Sequence, residues 1–335
     1  VSLTKPSLMS NDIGATLSCA WKSGESFMKA GILNQLKSAS DVVSGEALSA
    51  VLGTSRVTVW KHIQKLQEMG YEIESTPKGY RLLNSPDVPY PWEMGGREAT
   101  VHYYPEITST MDIAREMARN GCPHFTTVAA GRQTQGRGRL QRTWLSDDGG
   151  LYFTVVIRPD IPPVLASRIN FAASLTLAEV LNESYRVEAR VKWPNDLLVD
   201  EKKITGMLSE MEVDADMVSF VNIGMGINVN NDPASAEPAA DSLHRILGRK
   251  ISRKELLAEF LDRFEDRMAR LDYDTVVEEW KAYTLTLNRK VRIITTSNTH
   301  EGRAVDVAPD GALILEQADG AIRRVLYGDC FLDIP

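Results

Sequence analysis

Cysteine is scarce in this chain, with three in 335 residues, at Cys19, Cys122 and Cys330. They are odd in number, far apart, and in no metal-ligand spacing. A disulfide framework is therefore not expected, and a reducing cytoplasm is. Long apolar runs are also missing; none reaches the roughly 18 residues that a membrane span needs. The N-terminus has neither a long apolar core nor a clear cleavage site, so no secretory signal is expected. Positive charge is in deficit, with 38 Lys and Arg against 45 Asp and Glu and a net charge of −7. That excludes a general polyanion binder, and any nucleic-acid contact must come from a local basic face.

One stretch has no acid at all. Gly131 to Trp144, GRQTQGRGRLQRTW, holds four arginines (Arg132, Arg137, Arg139, Arg142) and three glycines. Alternating Gly and Arg suits neither helix nor strand, because glycine costs backbone entropy in both. Glycine lets backbone N–H groups approach a ligand, and guanidinium groups fork onto phosphate or carboxylate oxygens. The pattern reads as a mobile loop closing on an anionic small molecule. A solvated basic loop is the plainer alternative.

Composition is otherwise ordinary, at 43% hydrophobic and 25% charged, and the length suits two or three domains. Residues 1–26 show no sustained period and read as a disordered tail. Met28 is a candidate natural start. Residues 27–83 carry a first helix marked by Ile32, Leu33 and Leu36, and a second from Gly45 capped by Ser44. Ser55 caps a third, from Arg56 to Met69, with Val57, Val59, Trp60, Ile63 and Leu66 as its apolar residues. A hairpin turns at Thr76-Pro77-Lys78-Gly79. Together these read as a winged helix-turn-helix. Ser55, Arg56, Thr58, Lys61, His62 and Lys65 then face a major groove. The module carries seven Lys and Arg against five acids, which supports DNA binding at this end; a protein-contact module is the alternative.

Residues 84–99 hold three prolines and two glycines and read as a linker. A central domain over 100–287 follows. Its helix start Ser109-Thr110-Met111-Asp112 either caps itself or binds a polar ligand group. Strands follow near Phe125–Ala130 and Gly150–Arg158, then a buried helix from Ala166. Val187 to Met211 reads strand, turn at Pro194-Asn195-Asp196, strand, turn, strand. Gly224 and Gly226 lie in the next strand, where glycine often marks close approach by a ligand. Residues 288–335 show four short strands separated by turns and read as a small β-barrel in which no residue looks catalytic. The whole is an α+β multidomain protein: an N-terminal winged helix-turn-helix, a central mixed α/β domain with a sheet packed on helices, and a small SH3-like barrel.

GRGR followed by RTW, then KWPNDL, KITG and GIN, in this order behind a winged helix, resembles the bifunctional biotin–protein ligases that repress the biotin operon. The resemblance runs from about Phe27 to the C-terminus. It implies a two-step reaction: biotin and ATP give biotinyl-5′-AMP, and a lysine of a biotin carboxyl carrier protein takes the acyl group. Ser109, Thr110, Met111 and Gln133 would hold the biotin ring. Arg137, Gly138 and Arg139 would cover the ligand, with Trp144 as an apolar wall. Lys203 would meet the carboxylate and then the α-phosphate. Arg137, Arg142, Trp144, Lys192, Asn195 and Asn228 would line the nucleotide side, and Asp196 would take Mg²⁺. Gly206, Gly224 and Gly226 would let the sheet backbone approach biotin.

The catalytic weight would then fall on Lys203, Arg139 and Asp196. The resemblance also implies operator DNA as a partner, the adenylate as corepressor, and a homodimer when adenylate is bound. Two departures stand out. Many relatives continue GRGR with Arg-Gly-Arg, whereas this chain has Leu140-Gln141-Arg142, and Met111 stands where a relative can have Asn. A biotin-sensing transcription factor without ligase activity, or a lipoate or octanoyl transferase, are the alternative readings.

Overall fold

A computed structural model of the protein describes residues 23–332; the expected tail over 1–22 lies outside them. The chain divides between Tyr104 and Pro105 into two compact units.

The first unit begins with α1 (Ser23–Ser38), α2 (Gly45–Val51) and α3 (Arg56–Glu68), followed by β1 (Glu72–Thr76) and β2 (Gly79–Asn84). The tail expected over 1–26 thus ends too late, because residues 23–26 already belong to α1. Ser26 is fully buried, and Glu25 reaches Lys65 of α3 at 3.0 Å, so tertiary contacts hold this first turn. Both serine caps form. Ser44 Oγ accepts from Ala47 N at 3.0 Å and Ser55 Oγ from Thr58 N at 3.1 Å, each satisfying an orphan N–H at a helix start. The core gathers Ile32, Leu33, Leu36, Leu48, Val59, Ile63 and Leu66. Val57 and Trp60, counted with the apolar residues of α3, are instead exposed.

Prolines and glycines mark residues 84–99 as a connection, yet their aromatic side chains complete the first unit's core. Trp92 is buried and stacks on Tyr90 with ring centroids 4.8 Å apart. The Lys29 ammonium lies 4.4 Å from the Trp92 ring centroid, a cation–π contact in a water-poor site. Trp92 Nε1 donates to the Tyr71 hydroxyl at 2.8 Å, which donates onward to Glu93 at 2.6 Å. Burial and the Glu93 charge push the Tyr71 phenol far up, so it stays a donor.

The second part of the chain is built on a seven-stranded sheet in the order β3–β4–β5–β9–β8–β7–β6. Its strands are β3 (Val101–Ile107), β4 (Thr126–Gln133), β5 (Leu151–Ile157), β6 (Arg190–Lys192), β7 (Asp196–Val199), β8 (Lys202–Asp214) and β9 (Met217–Ile227). Two helices fix the faces. Phe153 of β5 meets Phe260 of α7 (Arg253–Ala269) at 5.5 Å between centroids. On the opposite face, a Cβ on Gly224 would sit 2.6 Å from Met111 Sδ of α4 (Thr110–Arg119). Period-2 alternation then puts Gly206, Gly224 and Gly226 on the α4 face.

The α7 side also holds α5 (Ala166–Ser184), buried along most of its length. Pro163–Ser184 is long and apolar enough to cross a membrane, but 72% of that window is packed inside the fold. Between β9 and α7 lies α6 (Leu243–Leu247), a short helix that the sequence pattern did not signal. After α7 comes the short α8 (Val276–Lys281). Thr284 bridges Val191 in parallel.

The C-terminal sheet has five strands in the order β13–β12–β11–β10–β14. They are β10 (Lys290–Ile294), β11 (Thr299–Val307), β12 (Leu313–Glu316), β13 (Ile322–Val325) and β14 (Asp329–Leu332). β14 is additional to the four expected strands and pairs antiparallel with β10.

Candidate functional site

Above the α4 face of the sheet lies a cavity of about 640 Å³, the size of a typical small-molecule site. The positions singled out in the sequence, scattered from 109 to 228, meet on its wall: Ser109, Thr110, Met111, Gln133, Arg137, Gly138, Arg139, Arg142, Trp144, Lys192, Asp196, Lys203, Gly206, Gly224, Gly226 and Asn228. Asn195 is the exception. Its Oδ1 accepts from Asn170 at 3.3 Å and its Nδ2 donates to Met207 O at 3.2 Å, so the side chain braces the turn rather than lining the cavity.

One end of the cavity is polar and uncharged. Ser109 and Thr110 open α4, and Ser109 makes no side-chain cap bond. Gln133 Oε1 accepts from Thr110 N at 2.9 Å and from its hydroxyl at 3.2 Å. Gln133 Nε2 donates to Ser146 Oγ at 2.9 Å, and Thr154 Oγ1 lies 2.8 Å from the Thr110 hydroxyl. This network locks the amide orientation of Gln133 and presents small hydroxyls to the cavity.

The other end is charged. Asp196 opens β7 across from Gly206 on β8; the ammonium of Lys203, further back on β8, is 2.8 Å from one carboxylate oxygen, and Lys192 lies 3.8 Å from the other. The turn between β6 and β7 thus places two cations on one carboxylate, leaving net positive charge beside it.

The glycine–arginine loop closes on itself as an irregular hairpin. Trp144 N donates to Gly136 O at 2.9 Å and Gly138 N to Arg142 O at 2.8 Å. The backbone N–H of Gly138 is therefore engaged within the loop. Leu140 sits in the left-handed region, at φ 52°, a conformation that costs a leucine about 1 kcal/mol. Each loop arginine has a protein partner. Arg132 pairs with Glu106 at 3.5 Å and Arg137 with Asp112 at 2.5 Å. Arg139 donates to Gly328 O at 3.1 Å, and Arg142 pairs with Asp329. Burial pushes the Arg139 guanidinium below its ordinary range, against the pull of Asp329 and Asp196.

Two of these partners, Gly328 just before β14 and Asp329 within it, belong to the C-terminal domain, where no residue looked catalytic in the sequence. Asp329, Cys330 and Phe331 of β14 line the cavity. Burial pushes the Cys330 thiol up to about 12, so it is a neutral wall rather than a nucleophile. β14 is four residues long and lacks a strong β-prone run, so only its pairing with β10 identifies it.

The strand glycines have a visible occupant. A Cβ on Gly226 would lie 2.2 Å from Trp144 Nε1, and one on Gly206 would lie 2.7 Å from the same indole. Paired across β8 and β9, the two glycines form the seat of the Trp144 ring. The indole also lies under Lys203, with Nζ 5.4 Å from its centroid. Trp144 Nε1 and Arg137 Nε are buried donors without an acceptor among the described residues. Such groups are rare in folded proteins.

Three family models match the chain: an HTH domain over residues 30–81, the biotin/lipoate A/B protein ligase family over 103–230, and the biotin protein ligase C terminal domain over 286–333. The chain is 34% identical to the bifunctional ligase/repressor BirA of Bacillus subtilis, over 87% of this chain and 94% of that relative. It is 30% identical to BirA of Escherichia coli, over 86% and 92%. Among solved structures, a biotin protein ligase from Aquifex aeolicus in complex with biotin and ATP aligns with a TM-score of 0.59 at 28% identity, covering 70% of this chain and 99% of that one. The winged-helix unit ahead of a ligase sheet and a β-rich C-terminal domain, matched along nearly the whole of both relatives, places this chain in the family of bifunctional biotin–protein ligases and repressors.

Proposed function

We infer that the protein joins biotin to ATP as biotinyl-5′-AMP, transfers the biotinyl group to a lysine of a biotin carboxyl carrier protein, and represses transcription in response to biotin. The observation that carries this reading is the division of one cavity into a neutral polar end and a cationic end, with an indole between them. Ser109, Thr110 and Gln133 suit a ureido ring. Trp144 and Met111 suit an apolar body, and Lys203 with Lys192 suits a carboxylate next to a phosphate.

In the first step a biotin carboxylate oxygen attacks the α-phosphorus of ATP, and pyrophosphate leaves. Two anions must meet, so cationic groups that strengthen their hold as the reacting oxygens converge lower the barrier. Lys203 and Arg139 fill that role. Arg142, Lys192, Trp144 and Asn228 line the nucleotide side. Mg²⁺ arrives with the nucleotide. No three His, Cys, Asp or Glu side chains gather as a metal site among the described residues, so Asp196 would supply one ligand, with phosphate oxygens and water completing the shell. In the second step the carrier lysine amine attacks the acyl carbon, loses its proton, and AMP departs. The glycine–arginine loop excludes water from the mixed anhydride meanwhile.

For repression, the adenylate acts as corepressor and the protein pairs as a homodimer in the cytoplasm. β8 offers an edge for pairing, since β7 covers it only as far as Gly206 and the strand runs on to Asp214. A second copy adding there would extend the sheet. The third helix of the first unit meets operator DNA.

The test is incubation with labelled biotin, MgATP and a carrier domain, with lipoate as a parallel substrate. Transfer of biotin to the carrier is expected; its absence sinks the ligase reading, and preferential transfer of lipoate reassigns the substrate.

A further inference from the structure

Val57 and Trp60 belong to the apolar pattern of α3, yet Val57 is 62% exposed and Trp60 is 50% exposed. The inner side of the helix is complete without them, because Val59, Ile63 and Leu66 are fully buried. Arg56, Val57, Trp60 and Lys61 stand at spacings of one, four and five, and so share one outward face.

The hydrogen-bonding residues of α3 are less available. Ser55 and Thr58 bond to each other at 2.9 Å, and Lys65 is held by Glu25 at 3.0 Å. His62 is half-buried, and desolvation pushes its pKa down, keeping the ring neutral at ordinary pH. The outward face of α3 over residues 56–61 carries two apolar side chains between two cations. Ion pairs in this unit include those of Lys29, Lys37, Lys65 and Arg81. Arg56, Lys61 and the wing residue Lys78 have no carboxylate partner among the described residues. A face of unpaired cations repels a second copy of itself and complements a phosphate backbone.

We propose that Val57 and Trp60 set the sequence preference of the protein by packing on thymine C5-methyl groups in the major groove, while Arg56 and Lys61 grip the flanking phosphates. The proposal rests on the DNA-binding reading above and deepens it. The thymine methyl is the apolar group that base edges display in that groove. A helix whose Ser55 and Thr58 hydroxyls are bonded to each other, and whose exposed centre is an indole beside a valine, is suited to detect that group. The two cations act on any sequence, so they supply affinity without preference.

The experiment uses the full chain with biotin and MgATP and a duplex pool randomised over about 24 base pairs, enough for two half-sites. The selected site is then synthesised with thymine and, position by position, with uracil, which lacks only the methyl. Uracil at each contacted position should weaken binding about fourfold, the loss of one buried methyl group. Trp60→Ala should bind thymine and uracil versions alike and still retain random DNA. Lys61→Ala should weaken binding to every sequence and keep the thymine preference. Equal binding of thymine and uracil sites by the unaltered protein overturns the proposal without any variant, and leaves DNA binding intact. If no member of the pool is retained at all, the DNA-binding reading itself falls.

Discussion

The protein carries two cationic surfaces, and they are built in opposite ways. On α3, Arg56 and Lys61 stand exposed with no acidic partner among the described residues. In the glycine–arginine loop, Arg132, Arg137, Arg139 and Arg142 all have protein acceptors. An unpaired surface cation meets a long polyanion by releasing counterions, with no internal bond to break. A lid arginine must exchange one partner for another. On the proposed function, that exchange would limit net affinity and give the loop two states, the one held by Asp112, Gly328 and Asp329 and one held by ligand. The same residue type thus serves as a standing attraction in one region and as a latch in the other.

The largest effect is expected at the point where the latch meets the reaction. Arg139→Ala or Lys203→Gln should each lower the rate of pyrophosphate release by about 100- to 1000-fold, the usual cost of removing one group that stabilises developing charge. Single-turnover assays with biotin and MgATP measure it, and a loss below threefold would remove that residue from the chemistry. On α3, Lys61→Ala should leave this rate alone and reduce the slope of log affinity for DNA against log salt by about 0.9. If the DNA variant slows pyrophosphate release, the two surfaces are not separable.

Next in size is the seat of Trp144. Gly226→Ala places a methyl group in the space of the indole nitrogen and should destabilise the unit by about 1–3 kcal/mol, as overpacking does. It should also displace the indole, measurable as an altered tryptophan emission on adding biotin. Unchanged stability and unchanged emission would show that the ring does not depend on that glycine. A smaller effect is expected at Leu140. Leu140→Gly removes the left-handed strain but makes the unfolded chain more flexible, for a net gain of up to about 1 kcal/mol in loop order. Slower amide exchange across 136–144 would report it; faster exchange would contradict it.

The smallest expected effect is electrostatic. Burial lowers the pKa of His62 in the first unit, with Lys29 and Lys65 adding to the shift and Glu25 opposing it. The unfolded chain therefore takes up this proton at higher pH than the folded chain. Stability should fall as pH drops through the usual histidine value of about 6.5. Melting curves at pH 7 and pH 5 check the sign, and His62→Gln should flatten the dependence.

The winged helix was legible because its signals are local. Ser44 and Ser55 cap where their spacing implies, and Thr76-Pro77-Lys78-Gly79 turns the hairpin. The site motifs were legible too, since GRGR, KWPND, KITG and GIN each set a strand, a turn or a loop with its own chemistry. What escaped reading depended on partners distant in sequence. Trp60 fits a helical apolar pattern and still faces solvent, because periodicity counts residues without knowing how wide the buried stripe is. Trp92 sits in a Pro- and Gly-rich stretch and still joins the core, because Tyr71 and Lys29 make room for it. Asp329 lies near the C-terminus in a strand that exists only by pairing with β10.

The order of residues by itself determined that there is a winged helix-turn-helix, a glycine–arginine loop and a pair of glycines in one strand, since cap spacing, charge and the absence of a side chain are properties of short stretches. The tertiary structure alone decided that Trp144 occupies the space over Gly206 and Gly226, that Asn195 braces its turn rather than lining the cavity, and that the C-terminal domain holds two of the loop arginines. Those outcomes depend on which surfaces meet when the sheet closes over its helices, and no local pattern encodes that.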